Sequence, residues 1–125
     1  MTISLSTPVR NAAMNALSNG MSEFHVYGTT RPATPDEAPG GSPLASFTLT
    51  EFVAVDGAVW LPAPVASVGL VTGTATWGRW QNTAGTSAID GTVGTTGTDF
   101  KVSTVDIVVD DPVSLTSLRL TMPVE

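Results

Sequence analysis

Residues 72–94 read TGTATWGRWQNTAGTSAIDGTVG, and this stretch decides the fold predicted for the chain. Its first half alternates with a period of two residues, which is the pattern of a β-strand with two different faces. Thr74, Thr76, Gly78 and Trp80 would point to one side, and Ala75, Trp77 and Arg79 to the other. Residues 82–85 supply a short polar turn whose Gly85 is free to take a positive φ, and residues 86–93 return as a second strand. The stretch therefore predicts a central β-hairpin.

The size and composition of the chain favour one all-β domain. Its 125 residues are 42% hydrophobic and only 13% charged, which argues against disorder. Twelve glycines and nine prolines at short intervals suit short strands and tight turns better than helices. With no cysteine in the chain, disulfides and thiolate metal sites are excluded.

The charge balance argues against two classes of partner. The formal net charge is -6, and the five basic residues are scattered singly, so neither nucleic acid nor an anionic membrane surface is an expected partner. No apolar run is long enough to span a bilayer, and no secretory signal is visible at the N-terminus. We therefore expect a soluble protein that is made in the cytoplasm.

Three segments lie outside the predicted body of strands. Residues 1–6 alternate apolar and polar and are interpreted as a short strand or an arm. Thr7 and Pro8 form a helix start, and Asn19-Gly20 a helix stop, so a short N-terminal helix is predicted between them. Residues 28–43 form a long loop rich in proline and glycine, interpreted as an extended arm that reaches a partner.

The remaining segments predict about eight strands spaced 8–12 residues apart, as in an all-β sandwich or a small barrel. Pro62 and Pro64 break pairing, which suits strands that cross between sheets and favours an antiparallel sandwich, Ig-like or jelly-roll-like. The last strand, residues 113–122, mixes its apolar residues enough to predict burial on both faces. The whole chain is thus predicted to be a single domain, residues 1–125.

No residue pattern predicts catalysis. His25 is the only histidine, and no nucleophile motif accompanies it. Asp90, Asp99, Asp106, Asp110 and Asp111 are interpreted as structural or solvated carboxylates, with a weak calcium site as the minor alternative. The sequence therefore predicts no enzyme, no cofactor and no metal.

The three tryptophans are the one feature that could mark a binding face. Trp60 and Trp80 could stack on sugars, which makes a carbohydrate-binding module one hypothesis. The other interpretation is that Trp77 fills the core and Trp80 covers a sheet edge or an interface.

Nearly the whole chain resembles a family of small virion proteins of tailed bacteriophages and prophages. The resemblance is clearest in Gly73-Thr-Ala-Thr-Trp-Gly-Arg-Trp80, in Asp90-Gly-Thr-Val-Gly94 and in the ending Val113-Ser-Leu-Thr-Ser-Leu-Arg-Leu-Thr-Met-Pro123. It extends to the segments 8–17, 25–39 and 44–49. Where relatives tend to have an aspartate in the turn after the central strand, this chain has Gln81-Asn-Thr-Ala84, which argues against an ion at that turn.

The resemblance implies a structural component of the virion, with a capsid decoration (cement) protein as the leading hypothesis. Such a protein binds the major capsid protein on the shell exterior as a homo-oligomer, a dimer or a trimer, and is assembled in the host cytoplasm. The alternative is a carbohydrate-binding or tail-tip adhesion module. The residues expected to contact a partner are Ile3, Leu5, Arg31, Pro32, Pro35, Trp60 and Trp80.

Overall fold

The computed structural model describes residues 20–50, 52–55, 58–85 and 88–121. Within these ranges the chain is all-β, with eleven strands and no helix. The strands are β1 (Glu23–Tyr27), β2 (Ala45–Thr48), β3 (Val53–Val55), β4 (Ala58–Trp60), β5 (Val65–Val68), β6 (Gly73–Thr74), β7 (Trp77–Gln81), β8 (Ala88–Gly94), β9 (Phe100–Val102), β10 (Asp106–Ile107) and β11 (Pro112–Thr121). The predicted N-terminal helix and the arm over residues 1–6 lie outside the described residues.

Nine strands form one curled sheet. The hydrogen-bonded order is β2-β1-β7-β8-β9-β11-β4-β3, and β5 also pairs with β11. The β5 segment also contacts β2 at the other end of the sheet. Gly69 forms a β-bridge with Ala45, and the Ser67 hydroxyl donates to the carbonyl of Ser46 at 2.7 Å. The sheet is mixed, since β8 and β9 are parallel, so the prediction of a purely antiparallel sheet is wrong at this pair.

The predicted central hairpin is confirmed as β7 and β8. The two strands are antiparallel, and Gly78 lies opposite Gly91. Gly85 in the connecting turn has a φ of 74°, the left-handed conformation expected for it. Upstream, residues 73–74 form the separate strand β6, which pairs with β10, so the first strand of the hairpin is shorter than predicted.

The two facing glycines of the hairpin make room for an aromatic pair. A Cβ on Gly78 would lie 2.4 Å from the Phe24 ring, and a Cβ on Gly91 would lie 2.6 Å from the Phe100 ring. The two rings meet edge to face with centroids 4.9 Å apart. Phe24 and Phe100 therefore pack closely over the hairpin only because neither glycine carries a side chain.

β4 and β5 pair one after the other with β11, and residues 61–64 separate the two strands. β4 pairs with residues 119–121 of β11 and β5 with residues 112–115. The break, which contains Pro62 and Pro64 as predicted, lies opposite a register shift between Leu115 and Ser117. This bulge changes the phase of the strand, so that Leu115 and Leu118 are both buried. It explains the mixed pattern that was interpreted as burial on both faces.

The core lies inside the curled sheet. Phe24 and Val26 of β1 are fully buried, and so is Trp80 of β7. The Trp80 indole N–H donates to the carbonyl of Met21 at 2.6 Å, which satisfies the one polar group of this side chain. The core cluster also includes Leu44, Ala45, Phe47, Leu49, Val59, Val93, Phe100, Val102, Ile107, Val113, Leu115 and Leu118.

Candidate binding surfaces

The outer face of the hairpin carries a second buried layer, separate from the core. Tyr27 and Trp77 are 4% and 2% exposed, yet neither belongs to the core cluster. They stand opposite each other in the β1–β7 pairing and stack with ring centroids 4.5 Å apart. We call the surface formed by Tyr27, Trp77, Arg79 and Asp90 the outer face.

A buried ion pair completes the outer face. The Arg79 Nε donates to Asp90 Oδ1 at 2.7 Å, and Arg79 Nη2 donates to Asp90 Oδ2 at 3.0 Å. The two side chains are 5% and 1% exposed, so water screens this contact little. The two residues are direct partners in the β7–β8 register, which brings the guanidinium and the carboxylate together. The Arg79 guanidinium also lies 5.6 Å from the centre of the Trp77 ring.

The loop of residues 28–43 folds over the outer face. The Trp77 indole N–H donates to the carbonyl of Thr29 at 2.9 Å, and Arg31 Nη2 donates to the backbone carbonyl of Asp90 at 3.2 Å. Farther along the loop, Glu37 closes a local turn by accepting from the N–H of Ala33. The described loop is therefore attached to its own sheet, which differs from the predicted arm reaching away to a partner.

A shallow groove of about 380 Å³ remains between this loop and the sheet. His25, Arg79 and Gln81 line it from the sheet, and residues 35–39 line it from the loop. His25 Nε2 lies 3.1 Å from Glu23 Oε1, whereas His25 Nδ1 is buried without a hydrogen-bond partner. His25 thus contacts a carboxylate of its own strand, two residues away.

The outer face shifts two pKa values. Burial raises the pKa of Tyr27 above its ordinary value of 10.0; the charge of Arg79 opposes this rise and that of Asp90 adds to it. The hydrogen bonds with Asp90 raise the pKa of Arg79, although burial of the guanidinium acts in the opposite direction. Arg79 therefore stays charged, and Tyr27 stays neutral over a wider pH range than a free tyrosine.

The structure separates the candidate partner-binding residues. Trp80 is 0% exposed in the core, so its prediction as a contact residue is wrong, and Trp77, which was expected in the core, is buried on the outer face instead. Trp60 is half-buried, with the Arg119 guanidinium 4.9 Å from its ring centre. In the loop Arg31 and Pro35 are exposed and Pro32 is half-buried. Ile3 and Leu5 lie outside the described residues.

A different surface carries the exposed apolar side chains. Five large hydrophobic residues in the described part of the chain have between 43% and 51% of their surface exposed. These residues are Val68, Leu70, Val71, Val108 and Val109, and we call them the apolar tip. They come from only two segments, the end of β5 with the turn that follows it and the turn after β10.

Backbone contacts hold the two turns of the tip together. Gly69 forms a bridge with Val109, the Gly69 N–H donates to the carbonyl of Asp111 at 2.9 Å, and the Asp110 N–H donates back to the carbonyl of Gly69 at 2.9 Å. The Thr72 hydroxyl accepts from the N–H of Val109 at 3.2 Å. A Cβ on Gly69 would lie 2.2 Å from the carbonyl oxygen of Val108, so this close approach requires glycine. The two segments that carry the five apolar residues are thus fixed to each other.

The sequence contains one signal for the tip. Leu70-Val71 and Val108-Val109 are apolar pairs placed directly beside turn residues, where strands end. Both pairs fall in segments that the sequence predicts as strands, and an apolar run alone does not tell a buried segment from an exposed one.

The carboxylates of the described residues have structural or solvated positions. Asp99 Oδ2 accepts hydrogen bonds from the N–H and the hydroxyl of Thr92 at 3.0 and 3.1 Å. Asp110 has a φ of 68° in the turn before β11, a conformation that aspartate tolerates better than most residues. In the described ranges no group of three His, Asp or Glu side chains could hold a metal ion, and no helix there is long and apolar enough to cross a membrane.

No protein-family model, curated protein or solved structure shows a significant match to the chain.

Proposed function

We propose that the chain is a structural component of a tailed-phage particle, a capsid decoration protein that binds the exterior of the shell. The observation that carries this proposal is the apolar tip. Soluble monomers rarely leave a contiguous apolar surface open, and such surfaces commonly mark sites of contact with another protein. The proposal includes a dimer or trimer as the bound form, as the sequence resemblance implies.

The body of the domain suits a binding role. A decoration protein must present its contact surface without reorganising it, because flexibility in the free protein weakens binding. The tip meets this requirement, since its two turns are joined by the Gly69–Val109 bridge and by hydrogen bonds in both directions. Binding to the assembled shell alone would stabilise that shell by mass action.

We further propose that the curled sheet packs as the two facing layers of a sandwich. Phe24 of β1 packs on Phe100 of β9, although β7 and β8 separate the two strands in the sheet order. A core closed by contacts between distant strands of one sheet is the arrangement that a sandwich requires.

The carbohydrate-binding hypothesis receives no comparable support from the tryptophans. Trp80 is enclosed in the core, and Arg119 lies over the ring of Trp60. An exposed aromatic platform is what stacking on a sugar requires.

Location in the intact particle tests the proposal. Particles purified from cells that produce the encoding phage should contain the chain in many copies, as density on the shell exterior in electron cryomicroscopy. Particles from a strain lacking the gene should lose this density and should release their genome at a lower temperature. Density confined to the tail would instead support an adhesion module, and particles without the chain would refute a virion role.

A further inference from the structure

We infer that the apolar tip is a docking surface for a basic, apolar segment of another protein, whose hydrophobic side chains cover the tip and whose Lys or Arg side chains meet its acidic border. The inference rests on the proposed function only in naming the shell as the source of that segment. The chemistry of the partner follows from the tip itself.

The apolar part of the contact is the centre of the tip. Leu70 is 51% exposed and Val109 is 49% exposed, and both belong to the turns joined through Gly69. The largest apolar patch of an ordinary monomer covers about 300–600 Å² and is often functional. A stable interface buries about 800 Å² per partner, so a partner must extend past the five apolar residues onto their polar border.

That border is acidic. Asp110 and Asp111 directly follow Val109, and Asp106 lies two residues before Val108 on the same side of its extended segment. All three are exposed. A partner that reaches the border therefore meets several carboxylates, and complementary positive charge would speed its association and exclude acidic competitors.

The described basic side chains are engaged away from the tip. Arg79 pairs with Asp90, and Arg31 bonds the backbone of the same residue. Lys101 bonds the carbonyl of Thr98, and Arg119 lies over Trp60. Two copies docked tip to tip would bring their acidic borders together, and like charges across an interface oppose association. The tip thus favours a basic partner over a second copy of this chain.

Binding of the full chain to two probes tests the inference. The first probe is a pair of immobilised peptides, one alternating Lys and Leu and one alternating Glu and Leu. The second is shells purified from particles that lack the gene. The wild-type chain should bind the Lys–Leu peptide and the shells, and should bind the Glu–Leu peptide at least about tenfold more weakly.

Two double variants test the apolar part and the acidic part of the contact separately. Leu70→Ser with Val108→Ser should weaken binding to both probes by about tenfold or more, because it removes the apolar anchor. Asp110→Asn with Asp111→Asn should weaken binding at low salt by about three- to tenfold and approach wild type at high salt. Asparagine tolerates the positive φ of residue 110, so this change preserves the turn.

A matched variant controls for overall charge. Asp36→Asn with Glu37→Gln also removes two negative charges, but from the loop over the outer face, and it should bind both probes like wild type. An unchanged melting temperature for each variant will exclude unfolding as the cause of lost binding.

The outcomes separate the inference from the proposed function. Binding of the Lys–Leu peptide through the tip without binding of shells would support the inference and refute the shell as the partner. Shell binding that the tip variants leave unchanged would support the proposed function and overturn the inference. Equal binding of the two peptides, or self-association of the chain that Leu70→Ser abolishes, would also overturn it.

Discussion

The outer face and the apolar tip both lie outside the core, but only one of them is covered by the chain itself. On the outer face the loop of residues 28–43 lies over Trp77, whose indole donates to Thr29. At the tip the backbone groups of the two turns bond to each other, while the side chains of Leu70 and Val109 stay half exposed.

The two surfaces differ in the free-energy cost of leaving them uncovered. The outer face contains the buried charges of Arg79 and Asp90, and a buried charge is costly unless it is paired and kept in a fixed geometry. The tip contains no charge among its five apolar residues, so its exposure costs only the hydration of aliphatic groups. A covered surface therefore indicates a structural role, and an open one indicates a binding role.

The largest expected effect is at the ion pair. Asp90→Ala should lower the free energy of unfolding by about 3–5 kcal/mol, because it leaves the Arg79 guanidinium buried without its partner. Chemical denaturation followed by circular dichroism will measure the change. Asp36→Ala, which removes an exposed carboxylate from the loop, is the control and should change stability by about 0.5 kcal/mol or less.

A double substitution tests whether the unpaired charge of Arg79 causes the instability of Asp90→Ala. Arg79→Met combined with Asp90→Leu removes both charges and should recover much of the stability lost in Asp90→Ala, since it leaves no unpaired group behind. A double variant as unstable as Asp90→Ala would mean that shape, and not charge pairing, determines the stability of the outer face.

The β7–β8 hairpin was predictable from the local sequence pattern, but the face of β7 that lies toward the core was not. Alternation places Trp77 and Trp80 on opposite faces, yet both faces of β7 are buried, so only long-range pairing decides which one faces the core. Gly85 was predictable because its turn depends on its own backbone conformation. The parallel pairing of β8 with β9 and the bulge at Leu115 had no local signal, since each depends on contacts distant in sequence.

A substitution at Trp77 should loosen the loop of residues 28–43 over the outer face without removing that loop. Trp77→Phe keeps an aromatic ring against Tyr27 but loses the hydrogen bond to Thr29, so we expect a loss of about 1–3 kcal/mol in stability. Cleavage after Glu37 by a glutamate-specific protease should become faster, because local opening of the loop exposes that bond more often. Trp60→Phe, distant from the loop, should leave this cleavage rate unchanged; an equal increase would mean that the loop is not held by Trp77.

The apolar tip should contribute little to stability. Leu70→Ser should change the free energy of unfolding by about 0.5 kcal/mol or less, because the side chain is already half exposed. Leu44→Ala, at a core leucine only 7% exposed, should cost about 2–5 kcal/mol in the same denaturation experiment. A large loss in Leu70→Ser would show that the tip is part of the core and would end its interpretation as a binding surface.

The smallest expected effect is the alkaline titration of the outer face. Burial raises the pKa of Tyr27 above 10.0, so the folded protein favours the neutral phenol more than the unfolded chain does. The stability that this preference contributes is fully present below pH 10 and is lost as the pH rises from 10 through the folded pKa. Since Tyr27 is the only tyrosine, its ionisation can be followed by ultraviolet absorbance without interference from another phenol. Tyr27→Phe should match wild-type stability near neutral pH and fall less steeply above pH 10. A Tyr27 phenol that titrates at or below 10 in the folded protein would mean that the loop does not seal the outer face, and the contrast with the open tip would then lose its physical basis.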